Sequence, residues 1–252
     1  MGVNGMDAAR SGMLAYSASL DIVANNIANV NTAGFHVQEP HLADVAPEGG
    51  VAADNKPTAS GVTLLGVDRI FTPGPPEQTG QPFDLYMDGG GFFAVKGPDG
   101  AVRYTREGRF HIAANGALVD GDGMPLDPPV KVPLPPPAEL AVDAKGQVVY
   151  QDENGAIQVA GTVKLFRFAN PGGLLATGDN RLVPTAASGD AQEATLDGGP
   201  GGRIVSGALE GSNTDLVEQM TAMLQAQRAY QLNLESFSTA DEMLKALNQF
   251  QA

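Results

Sequence analysis

Two stretches of this chain carry side chains of one seam at alternating steps of three and four residues. The first runs through Met6, Ala9, Met13, Tyr16, Leu20, Val23, Ile27 and Val30, the second through Leu216, Met220, Met223, Gln227, Tyr230, Leu234, Phe237, Asp241 and Leu244. Such alternation averages about 3.5 residues and keeps a narrow ridge on one side of a helix, where a partner helix can cover it. It predicts a first helix from about Asn4 to about Asn31, with Gly34 supplying a left-handed stop. It predicts a last helix from about Ser212 to about Phe250, free of Gly and Pro inside. Ser212 and Asp215 have capping-box spacing there, and Asn213 is an alternative cap. Gln227 and Asp241 put polar groups on the second seam, where they either face solvent or set register against a partner. Neither helix has a matching neighbour close by in sequence, so each must be covered by the other or by sister copies.

Between the two helices the period shortens to that of strands. Residues 36–60, with Pro40, Pro47, Gly49, Gly50 and Pro57, read as an extended linker or loose hairpin, and Val62–Phe71 as a short strand. Phe92–Lys96 and Ala101–Thr105, joined by Gly97–Gly100, read as a hairpin, as do Phe110–Ile112 and Ala117–Val119 around Asn115-Gly116. Leu140–Val142, Gln147–Tyr150, Ile157–Val159 and Thr162–Phe168 add strands, with an Asn154-Gly155 turn, a stiff Pro133–Pro137 connector and a flexible loop at Gly198–Gly202. The expected fold is mixed α and β: discontinuous N- and C-terminal helices forming a coiled coil, with an inserted antiparallel β-rich domain. The expected boundaries are 1–35 for the first helix, 36–70 for the linker or extended hairpin, 71–211 for the β-rich domain and 212–252 for the last helix.

Composition supports strands joined by many turns: 32 Gly and 18 Pro in 252 residues, with 42% hydrophobic content sufficient for a core. The formal net charge is −14, and residues 36–211 alone hold 12 basic and 22 acidic side chains. With no basic stripe, no nucleic-acid partner is expected, and an acidic surface disfavours anionic lipid. Cysteine is absent, so disulfide and thiolate chemistry are excluded. There is no apolar run of membrane-spanning length and no signal-peptide block near the start, so no direct membrane insertion and no ordinary signal cleavage are expected. Met6 removes the opening from the myristoylation pattern.

Catalytic and metal chemistry find little support. His36, His41 and Glu39 could in principle approach a metal, but a solvated linker is the expected setting. Asp120, Asp122 and Gly123, and likewise Asp152, Asn154 and Gly155, faintly resemble calcium loops. The bidentate Glu is replaced by Lys131 and Val163, so both read as hairpin turns. Gly89–Gly91 lacks the Gly-Lys-Ser/Thr of a phosphate cradle, and no Gly-x-Ser-x-Gly occurs. No enzyme activity, cofactor or metal is expected. The reading from another class is a carbohydrate-binding or hydrolytic β protein using acids such as Asp152 and Glu153, with helical oligomerisation tails.

One motif resists a purely structural account. Ala24–Phe35 places Asn25, Asn26, Asn29 and Asn31 within seven residues, ahead of Gly34 and Phe35. Asn side chains compete with the backbone and are costly inside a helix. The string is similar to the N-terminal motif of the flagellar axial proteins, the rod and hook components of the bacterial flagellum. Val217–Met220, Gln225–Tyr230 and Ser238–Leu244 resemble the last helix of that family. Gln78–Leu85, Gly91–Phe93, Tyr104–Phe110 and Ala208–Asn213 resemble its β domain, so the likeness covers nearly the whole chain in order. Length and the Ser238–Asp241 tail are most similar to distal-rod members; Ser206–Gly211 is also similar to proximal-rod members. The 36–60 linker departs from both in its Ala, Gly, Pro and acid content.

The resemblance implies a structural subunit of the basal-body rod, a periplasmic drive shaft between motor and hook, with a proximal-rod or hook-type member as the alternative. It implies export through the flagellar type III apparatus without a cleaved signal. It also implies helical self-polymerisation, with neighbouring rod and hook proteins and surrounding ring proteins as further partners. The assembly interface expected from the stripes is Met6, Met13, Tyr16, Leu20, Val23, Ile27, Val30, Leu216, Met220, Met223, Tyr230, Leu234, Phe237 and Leu244. Long helices with one apolar ridge are expected to be loose at their ends in the monomer and ordered in the polymer.

Overall fold

The computed structural model describes residues 2–45, 61–134, 140–152, 156–196 and 202–250. Most of the Ala- and Pro-rich linker, the second half of the Pro133–Pro137 connector, the Asn154-Gly155 turn with Glu153, and most of the Gly198–Gly202 loop lie outside the described residues. The chain divides into two compact units. One comprises residues 1–29, 38–69 and 214–252; the other comprises residues 30–37 and 70–213.

The first unit is built from α1 (Gly2–Ala28), a pair of antiparallel strands β1 (Gln38–Asp44) and β2 (Val62–Arg69), and α2 (Leu216–Phe250). The helices run antiparallel, since Asn26 meets Gln219 while Gly12 lies against Asn233. Helix α1 ends at Ala28, earlier than its periodicity suggested. The Asn29 side chain turns back to donate to the Asn25 carbonyl, which the Asn29 N–H also reaches, and the helix stops within that Asn-rich turn. Val30, expected on the helical seam, therefore falls in the second unit. At the other helix the cap is Asp215, whose carboxylate accepts from the N–H groups of Val217 and Glu218. Asn213, read as an alternative cap, instead bonds to Val37, Ile70 and Thr72.

The second unit is β-rich. Its strands are β3 (Pro76–Gln78), β4 (Leu85–Asp88), β5 (Phe92–Lys96), β6 (Val102–Thr105), β7 (His111–Ile112), β8 (Leu118–Val119), β9 (Leu140–Val142), β10 (Gln147–Gln151), β11 (Ile157–Thr162), β12 (Leu165–Arg167), β13 (Leu175–Gly178), β14 (Arg181–Val183), β15 (Gln192–Glu193), β16 (Arg203–Ser206) and β17 (Ala208–Glu210). All named pairings are antiparallel. The largest sheet has the order β13-β14-β6-β5-β12-β15, and a three-stranded sheet has the order β11-β10-β9. The predicted Thr162–Phe168 strand is split, because β11 closes at Thr162 and β12 opens at Leu165. A core of Leu85, Met87, Phe93, Val95, Leu118, Val130, Val148, Val163, Leu165 and Ile204 is almost wholly buried. Phe92, Tyr104 and Phe168 form a second cluster in edge-to-face contact. Strand β5 supplies both clusters because successive side chains point to opposite faces of the sheet.

Candidate functional site

The most deeply buried row of α1 is Ala9, Gly12, Ala15, Ser19, Val23 and Asn26, a line of small residues beside the predicted ridge. Small side chains let two helices approach closely, and at Gly12 a Cβ would come within 2.5 Å of the Asn233 side chain. The bulkier Met6, Met13, Tyr16, Leu20 and Ile27 flank that row and stay half-buried, while Ala9 and Val23 are shared by both rows. On α2, Gln219 and Ala226 are buried and Met223, Tyr230, Phe237 and Leu244 half-buried. Leu216, Met220, Leu224 and Leu234 remain 43%, 54%, 54% and 49% exposed. The single chain thus covers the small-residue row and leaves much of its bulky apolar surface open.

The asparagines of the motif have different fates. Asn26 is fully buried in the first unit. Its amide donates to the Gln38 carbonyl at 2.8 Å and to Gln219 Oε1 at 2.9 Å, and its oxygen accepts from the Gln38 N–H at 3.0 Å. One side chain so binds α1, β1 and α2 together. Asn25 and Asn31 are exposed, and Asn29 serves the end of its own helix. Gly34 and Phe35 are buried in the second unit. Gly34 has φ +68°, its N–H donates to the Glu210 carbonyl at 2.8 Å, and a Cβ would meet the Glu107 N at 2.7 Å. Both the left-handed backbone and the lack of space require glycine there.

Next to that glycine lies a buried ionic cluster. The Glu210 carboxylate accepts from Arg106 Nη1 at 3.1 Å and from the Gly74 N–H at 3.0 Å, with His36 Nε2 at 3.6 Å. Arg106 also lies over the Phe92 ring, 5.2 Å from its centre. Burial pushes the Glu210 carboxyl above the usual carboxylate range, and Arg106 and the Gly74 N–H pull it part of the way back. His36, expected in a solvated linker, is instead buried here, with Nδ1 in contact with the Ile70 carbonyl and its ring against Phe71. The cause is simple: the chain first enters the β-rich unit over residues 30–37 and then leaves it for β1. Sequence reasoning also passed over Arg106 and Glu210 as an ion pair, since 104 residues separate them.

No arrangement for chemistry emerges from these groups. Asp120 accepts from the N–H groups of Asp122 and Met124, closing a tight turn, and both carboxylates bond to Arg181. Burial works to lower the Arg181 pKa, but those two partners outweigh it and hold the guanidinium above its ordinary value. His41 pairs with Asp68 on exposed strands. Among the described residues no group of three or more His, Asp or Glu side chains could hold a metal. Among the same residues no helix is long and apolar enough to cross a membrane.

Comparison with known proteins explains why the ordered features are structural. Three family models match in sequence: flagella basal body rod protein at residues 6–36, flagellar hook protein FlgE/F/G D1 domain at 86–150, and flagellar basal body rod FlgEFG protein C-terminal at 205–250. The flagellar basal-body rod protein FlgG of Caulobacter vibrioides is 35% identical over 97% of this chain and 98% of its own length. The chain belongs to the flagellar basal-body rod protein family. FlgG of Bacillus subtilis is 34% identical over 94% of the chain and 95% of its own length. FlgF of Caulobacter vibrioides is 36% identical but aligns over 84% of the chain and 83% of itself. The fuller cover by FlgG makes this a rod protein of the distal type. Rod proteins are structural, so this chain is a structural subunit of the flagellar basal body and not an enzyme. The carbohydrate-active alternative falls on that finding. In this chain Asn26, Gly34 and Glu210 hold segments of the fold together, and the open helix faces are the candidate site of assembly.

Proposed function

We propose that the chain polymerises helically with copies of itself, the bulky apolar residues of both helices being covered by sister molecules as an inner coiled-coil layer. The observation that carries this is the exposure of Leu216, Met220, Leu224 and Leu234 on a helix whose other face is already used by α1. Covering what is still exposed of each such side chain is worth about 0.7–1.5 kcal/mol, roughly half the value of full burial. Contacts of this kind are head-to-tail and do not close, which yields a filament. In this reading the β-rich unit forms an outer layer, and the product is a passive shaft carrying torque from motor to hook. Neighbouring rod and hook proteins would cap its ends, ring proteins would surround it, and the chain would reach the periplasm through the flagellar export apparatus with no cleaved signal. Deleting the gene in a motile bacterium should leave basal bodies with truncated rods and no hooks; complete rods carrying hooks would sink the proposal.

Met220→Asp and Leu234→Asp alter exposed sites, so each should change monomer stability by no more than about 0.5 kcal/mol while abolishing rod assembly. Normal motility with either variant would count against the helix interface. Limited proteolysis of dilute monomer should trim both termini and spare about 60–210, whereas the termini should resist in isolated basal bodies. Equal cutting rates in the two states would contradict a cover supplied by sister copies.

A further inference from the structure

All sulfur in this chain is thioether: it has 8 methionines and no cysteine. Met6, Met13, Met220, Met223 and Met243 belong to the two helices, whereas Met87 lies in the β-rich core and is 1% exposed. Met220 is 54% exposed, and Leu216 and Leu224, one helical turn away on either side, are open as well. Met243 is 59% exposed but stands off the seam, which passes through its neighbour Leu244. Helix α2 therefore presents two open thioethers, one inside the apolar ridge and one beside it.

An open thioether reacts with hydrogen peroxide. The sulfur attacks one peroxide oxygen and the O–O bond breaks. Sulfur gives up two electrons and keeps that oxygen as a sulfoxide; the other oxygen leaves as water with both protons. A dithiol reverses the step, removing the oxygen as water and becoming a disulfide. The sulfoxide is polar where the thioether was apolar. At Met243 it stays in water. At Met220 it must lose that water if the ridge is to be covered, and the flanking Leu216 and Leu224 side chains have no hydrogen-bond donor to replace it. The folded monomer is untouched in either case, because both side chains already lie open.

We propose that Met220 is a peroxide-sensitive modification site: its oxidation bars a subunit from the rod, and incorporation shields it from peroxide. The inference rests on the helix-face reading above and adds a reversible chemical control to that face. Purified full-length monomer treated with hydrogen peroxide should gain one oxygen at Met220 and at Met243 and none at Met87, read by peptide mass, with no shift in its thermal midpoint. In isolated basal bodies given the same treatment, Met220 should remain a thioether. Equal oxidation of Met220 in both overturns the proposal. In a motile bacterium Met220→Gln, which puts an amide oxygen near the place of the sulfoxide, should sharply lower the number of hook-bearing basal bodies; a normal number overturns it. Strains carrying Met220→Leu or Met243→Leu are then compared with the unaltered strain under graded peroxide. Met220→Leu keeps the apolar ridge without sulfur, so that strain should go on building hooks at doses where the other two lose them. Equal loss in all three strains overturns the proposal. The Met220→Asp variant separates the two readings. If it builds normal rods, the helix face is no interface and both fall; if it blocks rods while Met220→Leu gives no protection, only the peroxide step fails.

Discussion

Glu210→Ala is expected to cost the β-rich unit about 3–5 kcal/mol of stability, because it leaves the buried Arg106 guanidinium without its counter-charge. Both partners are almost wholly buried, 1% and 3% exposed, so water cannot replace the lost carboxylate. The Gly74 N–H loses its acceptor in the same stroke, and the His36 imidazole loses its neighbouring carboxylate. Urea unfolding followed by tyrosine fluorescence reads this directly, since the chain has 5 Tyr and no Trp. The double change Arg106→Met with Glu210→Leu is expected to recover much of the loss, as buried ion pairs replaced by apolar residues of similar size often do. A single-variant loss below about 1 kcal/mol would mean that the cluster contributes little to holding the segments at positions 34, 74, 106 and 210 together.

Asn26→Leu is expected to remove about 3 kcal/mol from the helical unit and, with it, rod assembly. Leucine has a similar shape but can neither donate nor accept, so the Gln38 N–H, the Gln38 carbonyl and the Gln219 amide all lose a partner. Each buried polar group left unpaired costs about 1–3 kcal/mol. Gln38 is only half-buried, which keeps the sum toward the lower end of that range. The control is Asn25→Leu, one residue earlier in the motif and exposed, expected to change stability by no more than about 0.5 kcal/mol. Thermal melts followed by helical circular dichroism separate the two. Equal effects at both positions would show that the motif acts through something other than the Asn26 hydrogen bonds.

Much of the architecture was legible beforehand because it is local. The three-four spacing along both ends places side chains on one side of a helix whatever the rest of the chain does, and α1 and α2 lie where it points. Hairpins such as β5–β6 and β7–β8 were legible from alternating residues around Gly-rich turns. Boundaries were less so. The cap at Asp215 and the end at Ala28 depend on which Asx side chain takes which backbone group, and several candidates lay within reach. Spacing marked the apolar ridge, whereas close helix approach selects small residues, so Gly12, Ala15 and Ser19 join Ala9 and Val23 of that ridge in the buried row.

The candidate site divides along the same line. Periodicity supplied Met220 and Leu234, and the family motif supplied Asn26 and Gly34, but neither could distinguish the buried Asn26 from the exposed Asn25.

The amino-acid order alone determined the helical and strand periods, the acidic balance and the rod-family motifs, because these are properties of neighbours a few bonds apart. Only the tertiary structure decided which polar groups are locked inside and which apolar ones stay open. That choice depends on partners as remote as Asn26 and Gln219, 193 residues apart, and the free energy of a side chain follows from what surrounds it in space.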